Sequence, residues 1–246
     1  MLKALIARAR QGHRTIRYPD GPAPALPAHF RGAPVFDAAR CPDGCRECAD
    51  ACPTDAIRID SRGPALDLGR CIFCPECESA CPEGAISFSD DYRLAARGRE
   101  DLVVRPDEER KLATQLDAKL RRLLGRSLKL RVVSAGDCNA CAADVNVLST
   151  IGWDIGRFGI QYVASPRHAD GLIVMGPVTP NMKLALRKTY DAIPAPKIVI
   201  AVGACAISGG IYAGGIGDIL PVDLYIPGCP PHPLTILDGL LRLLGS

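Results

Sequence analysis

The 246-residue sequence is short of four features, and each shortage removes a class of function. There is no dominant charge: 30 basic residues face 27 acidic ones, net +3, so no broad cationic footprint for nucleic acid is present. No apolar run approaches the roughly 18 residues of a membrane-spanning helix, so membrane association is expected to be peripheral or through partners. The amino-terminal MLKALIARARQGHR has too short an apolar stretch for a secretory leader and no small-residue cleavage site, so the thiols are expected to be reduced and cytosolic. Finally, neither GxGxxG nor GxxxxGK occurs in a strand-loop-helix context, so the glycines of SGGIYAGGIG do not make a nucleotide cradle.

Cysteine is what the sequence has in excess, twelve in all. Reduced cysteines at short spacings in an intracellular protein hold metal more often than they do anything else. Eight lie in an internal repeat, CRECADACPTDAIRID (45–59) and CIFCPECESACPEGAISFS (71–89). The steps Cys45 to Cys74, Cys48 to Cys77, Cys52 to Cys81 and Ile57 to Ile86 are all 29 residues, while Cys41 to Cys71 is 30.

A composition of 48% hydrophobic residues, with 24 Gly and 21 Pro, suits two modest domains. Ahead of the repeat, LKALIARAR reads as a short amphipathic helix and RYPDGPAPALPAHFRGAPVF as an extended strap; together they span residues 1–34. The repeat lies in residues 35–95. In residues 96–126, PDEERKLATQLDAKLRRLLG places Leu112, Leu116, Leu120, Leu123 and Leu124 at helical spacing, with Pro106 early and Gly125 closing, which predicts a connecting helix over 106–125. Residues 127–246 alternate short β-branched runs (LKLRVVSAG, DGLIVMGPV, PKIVIAVGA, DLYIPG) with helical stretches, the pattern of a parallel sheet covered on both faces. Cys138, Cys141, Cys205 and Cys229 each fall just after one of these strands, where open α/β sheets assemble their sites, so a third metal site is expected.

Two residues between successive thiols let one tight loop offer three sulfurs to one face of an iron-sulfur cubane, and the fourth sulfur comes from elsewhere. In two-cluster ferredoxins the cysteine before proline ligates the other cluster. That assigns Cys41, Cys45, Cys48 and Cys81 to one [4Fe-4S] cluster and Cys71, Cys74, Cys77 and Cys52 to the second, with Pro53 and Pro82 turning the chain away. The alternative is a pair of zinc ribbons, which need two CxxC pairs per site at a longer interval rather than a duplicated triplet followed by Cys-Pro.

Residues 13–90, through HRTIRYPD, FRG and the cysteine runs, resemble the two-cluster ferredoxin subunit of respiratory complex I and of energy-converting membrane-bound [NiFe] hydrogenases. Residues 124–244 resemble the small subunit of those hydrogenases, related to the complex I subunit that carries the terminal cluster before quinone. LGRSLKLRVVSAGDCNAC, RFGIQYVASPRHADGLIVMGPVTPNM, AVGACAISGGIY and YIPGCPPHP carry that resemblance. It implies an α+β two-cluster ferredoxin domain followed by an α/β flavodoxin-like parallel-sheet domain. It also implies one [4Fe-4S] cluster on Cys138, Cys141, Cys205 and Cys229, hence three clusters in all. The implied protein is an electron-transfer subunit on the cytoplasmic side of the cell membrane. Its implied partners are a large subunit that carries the catalysis, membrane-arm subunits and an electron donor or acceptor subunit. The separated pair in CNAC is similar to the hydrogenase branch, since the complex I subunit has adjacent cysteines there.

The sequence departs from that family at Asp144, where glutamate is expected, and at His232 in GCPPHP, where arginine is frequent. Asp144 is a candidate proton relay or a carboxylate favouring a helix's first turns. Arg167 and His168 are candidates for contact with a partner or a cluster edge, or for a solvated loop. Trp153 and Tyr162 read as core or interface residues. No catalytic residue is expected in this chain. Three readings stay open: a hydrogenase subunit, the same relay beside a nickel-free large subunit that reduces quinone or another acceptor, and a zinc-binding scaffold.

Overall fold

A computed structural model of the chain describes residues 2–12, 14–106, 108–124 and 127–245. The amphipathic helix forms as α1 (Leu2–Gln11), and every one of its residues is exposed, Leu2 at 71% and Leu5 at 65%. Its apolar stripe therefore packs on nothing among the described residues.

The next elements are β1 (Pro34–Phe36), α2 (Glu47–Asp50), β2 (Ile57–Asp60), β3 (Gly63–Asp67), α3 (Glu76–Ala80), β4 (Ile86–Phe88) and β5 (Val103–Val104). The sequence repeat is a structural one: in each copy a short helix carries the third cysteine, Cys-Pro turns the chain, and a strand begins at the isoleucine. Both turns use a left-handed residue at the same offset, Asp55 (φ 50) and Gly84 (φ 58). β1 pairs with β4 antiparallel, Pro34 opposite Phe88, and β2, β3 and β5 form a three-stranded antiparallel sheet. A left-handed conformation is free for glycine and strained for aspartate. Asp55→Gly is therefore expected to raise stability by about 0.5–1 kcal/mol, read as a higher denaturant midpoint.

The remaining elements are α4 (Ala118–Leu124), β6 (Leu128–Ser134), α5 (Ala140–Val147), β7 (Ile160–Tyr162), β8 (Gly171–Met175), α6 (Pro180–Asp191), β9 (Ile198–Val202), α7 (Ala204–Ser208), β10 (Leu224–Ile226) and α8 (Pro233–Leu244). Five strands form one parallel sheet in the order β10-β9-β8-β6-β7. In chain order that is 2-1-3-4-5, the flavodoxin-like arrangement, whose switch point lies between β6 and β8. Both faces are covered, which is why β8 and β9 read as unbroken apolar runs. Ile173 and Met175 face α8's Ile236, Leu237 and Leu240, while Leu172 and Val174 join the opposite cluster with Leu186 of α6 and Ile207 of α7.

That opposite cluster also contains Leu66, Leu68, Cys71 and Cys77, so the repeat packs onto the sheet through a continuous core. Ala96 exchanges backbone hydrogen bonds with Tyr225 of β10 (3.0 and 2.8 Å), and the Ser208 hydroxyl donates to Gly69 O (2.8 Å). A Cβ on Gly69 would lie 2.8 Å from Ile207, so glycine is what lets the two halves approach.

The long connecting helix is not found. Helix is confined to α4, where Asp117 accepts from the amides of Lys119 and Leu120 and caps its start. Residues upstream run extended because their amides have partners elsewhere: Ala113 N donates to Ala95 O (2.7 Å) and Leu116 N to Leu243 O (2.9 Å), burying both side chains. Within 96–126, Val103 and Val104 belong to the repeat's sheet and Ala96 to the edge of the parallel one, so the segment is not a simple linker. Gly125, expected to close the helix, lies outside the described residues.

The strap joins both halves: its end bonds to the repeat, Gly32 N donating to Ser89 O (2.8 Å) and Ala33 N to Asp91 O (2.9 Å), and its beginning bonds to the second half. Ile16 N donates to Gly152 O (2.9 Å), and Arg157 donates to the carbonyls of Ile16 and Tyr18, both at 2.6 Å. Tyr18 OH reaches Asp238 on α8 at 2.8 Å; Asp238 is 3% exposed and also accepts from Arg242 Nε. Asp238→Ala leaves both donors unpaired, Arg242 being partly solvated. The expected loss is about 2 kcal/mol, together with faster proteolysis between residues 14 and 32.

Candidate metal centres

The eight cysteines of the repeat separate into two groups, each drawn from both copies. Cys41, Cys45, Cys48 and Cys81 line one cavity with Phe36, Ala85 and Ile86. Cys52, Cys71, Cys74 and Cys77 line another with Thr54, Ala56, Ile57 and Leu66. Each cysteine before proline faces the other copy's cavity because the short helix ahead of it ends there and the Cys-Pro turn redirects the chain. Among the described residues no three His, Cys, Asp or Glu side chains stand close enough to share a single ion. The thiols instead line two separate cavities, one for each group.

Backbone amides aim at the sulfurs. Ala56 N donates to Cys52 Sγ and Ala85 N to Cys81 Sγ, both at 3.2 Å, the same bond in each repeat copy. Phe73 N donates to Cys71 Sγ at 3.3 Å from a left-handed conformation (φ 57). Hydrogen bonds of this kind stabilise thiolate and tune whatever it ligates.

Burial, then the neighbouring Cys45 and Cys81, raises the Cys41 thiol, and burial followed by Cys81, Cys41 and Cys45 raises Cys48. Burial pushes Cys71 up to about 12, against the Phe73 amide and with Cys77, Cys52 and Cys74 adding to it. It pushes Cys77 up to about 12 as well, with Cys74 and Cys52 next and Cys48 of the first group contributing. Thiols this basic stay protonated at neutral pH, so a metal must displace protons as it binds.

The third group comes from three loops at the carboxyl ends of β6, β9 and β10, and its thiols share one neighbourhood. Burial pushes Cys141 up to about 12, followed by Cys229, Cys205 and Cys138. Burial raises Cys229 too, with Cys138 and then Cys74 of the second group behind it. Glycine makes this convergence possible: a Cβ on Gly203 (φ 89) would lie 2.6 Å from Cys141 Sγ, and one on Gly210 3.0 Å from Cys205 Sγ. Between Cys138 and Cys141 the chain turns at Asn139 (φ 71), a residue that accepts the left-handed region more readily than most. Cys138 and Cys229 are exposed, whereas Cys71, Cys77 and Cys141 are buried.

The other candidates have definite places. Asp144 lines a cavity with His29, Arg31, Cys229, His232 and Thr235, between the strap and the Cys229 loop, and burial raises its carboxyl. His232 accepts from Leu234 N through Nδ1, capping α8, and packs edge-on against Phe30 and Trp153. Arg167 and His168 are exposed on a turn before β8, at the amino end of the sheet, so the loops that carry the cysteines are out of their reach. Tyr162 donates to Val145 O, and both Tyr162 and Trp153 pack against the second core. Sequence reasoning missed the amides of Ala56, Ala85 and Phe73; the Ala-Ile pair repeated at the 29-residue offset was the available signal.

Comparison with known proteins fits both halves. Residues 138–243 match the family described as NADH ubiquinone oxidoreductase, 20 Kd subunit, and residues 40–85 match a 4Fe-4S dicluster domain. The chain is similar to an uncharacterized protein of Methanocaldococcus jannaschii, 43% identical over 48% of this chain and 83% of that one. It is similar to the probable membrane-bound hydrogenase subunit mbhJ of Pyrococcus furiosus, 40% identical over 56% of this chain and 86% of that one. It is also similar to an NADH-quinone oxidoreductase subunit of Citrifermentans bemidjiense, 46% identical over 42% of this chain and 64% of that one. The chain belongs to the oxidoreductase-subunit family of the NADH ubiquinone oxidoreductase 20 kDa subunit, with a 4Fe-4S dicluster domain ahead of the family segment.

Proposed function

We propose that this chain is the iron-sulfur electron-transfer subunit of a membrane-associated, complex I-like [NiFe] hydrogenase. In this reading Cys41, Cys45, Cys48 and Cys81 hold one [4Fe-4S] cluster, Cys52, Cys71, Cys74 and Cys77 a second, and Cys138, Cys141, Cys205 and Cys229 a third. The observation that carries it is the order of the three cysteine groups. α2, which carries Cys48 of the first group, packs on α3, which carries Cys77 of the second, and Ile72 and Phe73 of the second group's loop line one cavity with Cys229 of the third. The second group is thus the middle of a line.

A cubane bound at each group would supply a one-electron station with a potential set by its surroundings. The chain's own residues do the rest. Apolar walls (Phe36, Ile57, Leu66, Ile86) exclude water from the first two cavities. The amides of Ala56, Ala85 and Phe73 steady the sulfurs and favour their anionic form. Cys138 and Cys229, exposed, mark the end of the line that a partner large subunit can approach. Four-cysteine groups drawn from both copies of a duplicated triplet followed by Cys-Pro suit a polynuclear cluster better than a single zinc ion.

Among the described residues no helix is long and apolar enough to cross a membrane. α1 supports peripheral attachment: it presents Leu2, Leu5 and Ile6 beside Lys3, Arg8 and Arg10 and contains no acidic residue. The partners in this reading are a large subunit that holds nickel, membrane-arm subunits and a redox partner at the first cysteine group.

The second reading, a nickel-free partner that reduces quinone, is favoured by the 46% identity to an NADH-quinone oxidoreductase subunit. The separated CNAC pair and the longer match to the hydrogenase subunit favour the first. Anaerobic purification with the partner large subunit decides between them: dihydrogen uptake and two CxxC pairs in that partner are expected. Quinone reduction without those pairs would overturn the hydrogenase reading.

A further inference from the structure

Asp137 immediately precedes the third cysteine group and has no part in the function described so far. One carboxylate oxygen, Oδ1, accepts from the Ser134 hydroxyl. The other, Oδ2, is buried without a hydrogen-bond partner among the described residues. A carboxylate that served only to fix the turn would need the Ser134 bond alone, and leaving the second oxygen dry and unpaired is unfavourable. The residue is also held firmly. A Cβ on Gly176 would lie 2.5 Å from Asp137 N, and Gly136 packs against Thr179. Ala135 N donates to Met175 O (2.7 Å) and Thr179 N to Ala135 O (3.1 Å), so the loops after β6 and β8 lock each other at the sheet's switch point.

The carboxylate directly precedes Cys138 in the chain and stands near the other cysteines of the group. After burial and the other thiols, Asp137 contributes to raising Cys141, and it does the same for Cys205 on a different loop. A fixed negative charge beside a redox centre opposes the addition of an electron, and the effect is strong where burial lowers the local dielectric.

We propose that Asp137 is a potential-setting residue of the third cysteine group, a fixed anion that holds a cluster bound there at a lower reduction potential than its four sulfurs alone would give. This rests on the ligand assignment proposed above. A lowered last station suits exchange with a strongly reducing couple such as proton/dihydrogen.

The test is an EPR-monitored redox titration of the full chain in complex with its partner, for wild type, Asp137→Asn and Asp137→Glu, with iron counted in each. The Asn variant is expected to shift the third cluster upward, changing its oxidised-to-reduced ratio at the wild-type midpoint at least threefold, while the first two clusters stay in place. The Glu variant restores a value near wild type. Ser134→Ala, which keeps the charge and removes its one hydrogen bond, shifts the third cluster downward and provides a readout if the Asn variant fails to assemble. A third cluster unmoved or lowered in Asp137→Asn, or unmoved in Ser134→Ala where the Asn variant does not assemble, overturns the proposal. A wild-type chain with only two clusters overturns the ligand assignment instead.

Discussion

Cys52→Ala is expected to remove iron from the cavity that holds Cys71, Cys74 and Cys77, and to leave the cavity of its own sequence run loaded. Cys52 lines that second cavity, and the amide of Ala56 already points at its sulfur. Iron should fall from about twelve to about eight atoms per chain, one cubane's worth. Double substitution separates this from a run-by-run assignment, because residues that act in one unit are non-additive. Cys52→Ala with Cys71→Ala should lose no more iron than either alone, whereas Cys52→Ala with Cys41→Ala should lose about eight atoms. The reverse pattern would show that each run holds its own cluster.

A substitution that touches no cysteine should be nearly as damaging. Gly203→Ala is expected to eliminate iron from the third group while the other two stay loaded. The new methyl would lie 2.6 Å from Cys141 Sγ, and the backbone at φ 89, ψ 154 is one that only glycine adopts without strain. The strain alone is about 1–3 kcal/mol, and relieving the clash moves Cys141 away from Cys138, Cys205 and Cys229. Iron content and the EPR spectrum of the purified variant check this. Gly210→Ala, with more room at 3.0 Å from Cys205 Sγ, should be milder. Full iron content in Gly203→Ala would mean that the close approach is not needed.

The legible parts of this fold were those with a strong local period. Residues 29 apart in the repeat face equivalent surroundings, so cysteine, proline and isoleucine recur together, and both copies build the same helix, turn and strand. β8 and β9 announced themselves because burial on both faces leaves unbroken apolar runs, and β6 and β10 did so through their β-branched and aromatic residues. β7 did not: three residues at a sheet edge, Ile160–Tyr162, are too few to show a pattern. The connecting helix was misread for the opposite reason. Leu112, Leu116 and Leu120 have helical spacing, but Leu116 is buried by an extended segment whose amides bond to Ala95 and Leu243, partners far away in sequence. No local signal distinguishes the two cases.

The cysteines were legible as a set, because thiols at such short spacing have few other uses. Their surroundings were not. The hold of Tyr18 on Asp238, the pocket around Asp144 and the buried oxygen of Asp137 all depend on segments brought together only by the fold. His232 illustrates the same limit: legible only as a departure from a frequent arginine, it caps α8 through Nδ1.

If three groups of four cysteines each enclose an iron-sulfur cubane, elemental analysis of the anaerobically purified chain will find about twelve iron atoms and an equal amount of acid-labile sulfide per chain. Zinc in place of iron, with no labile sulfide, would contradict it.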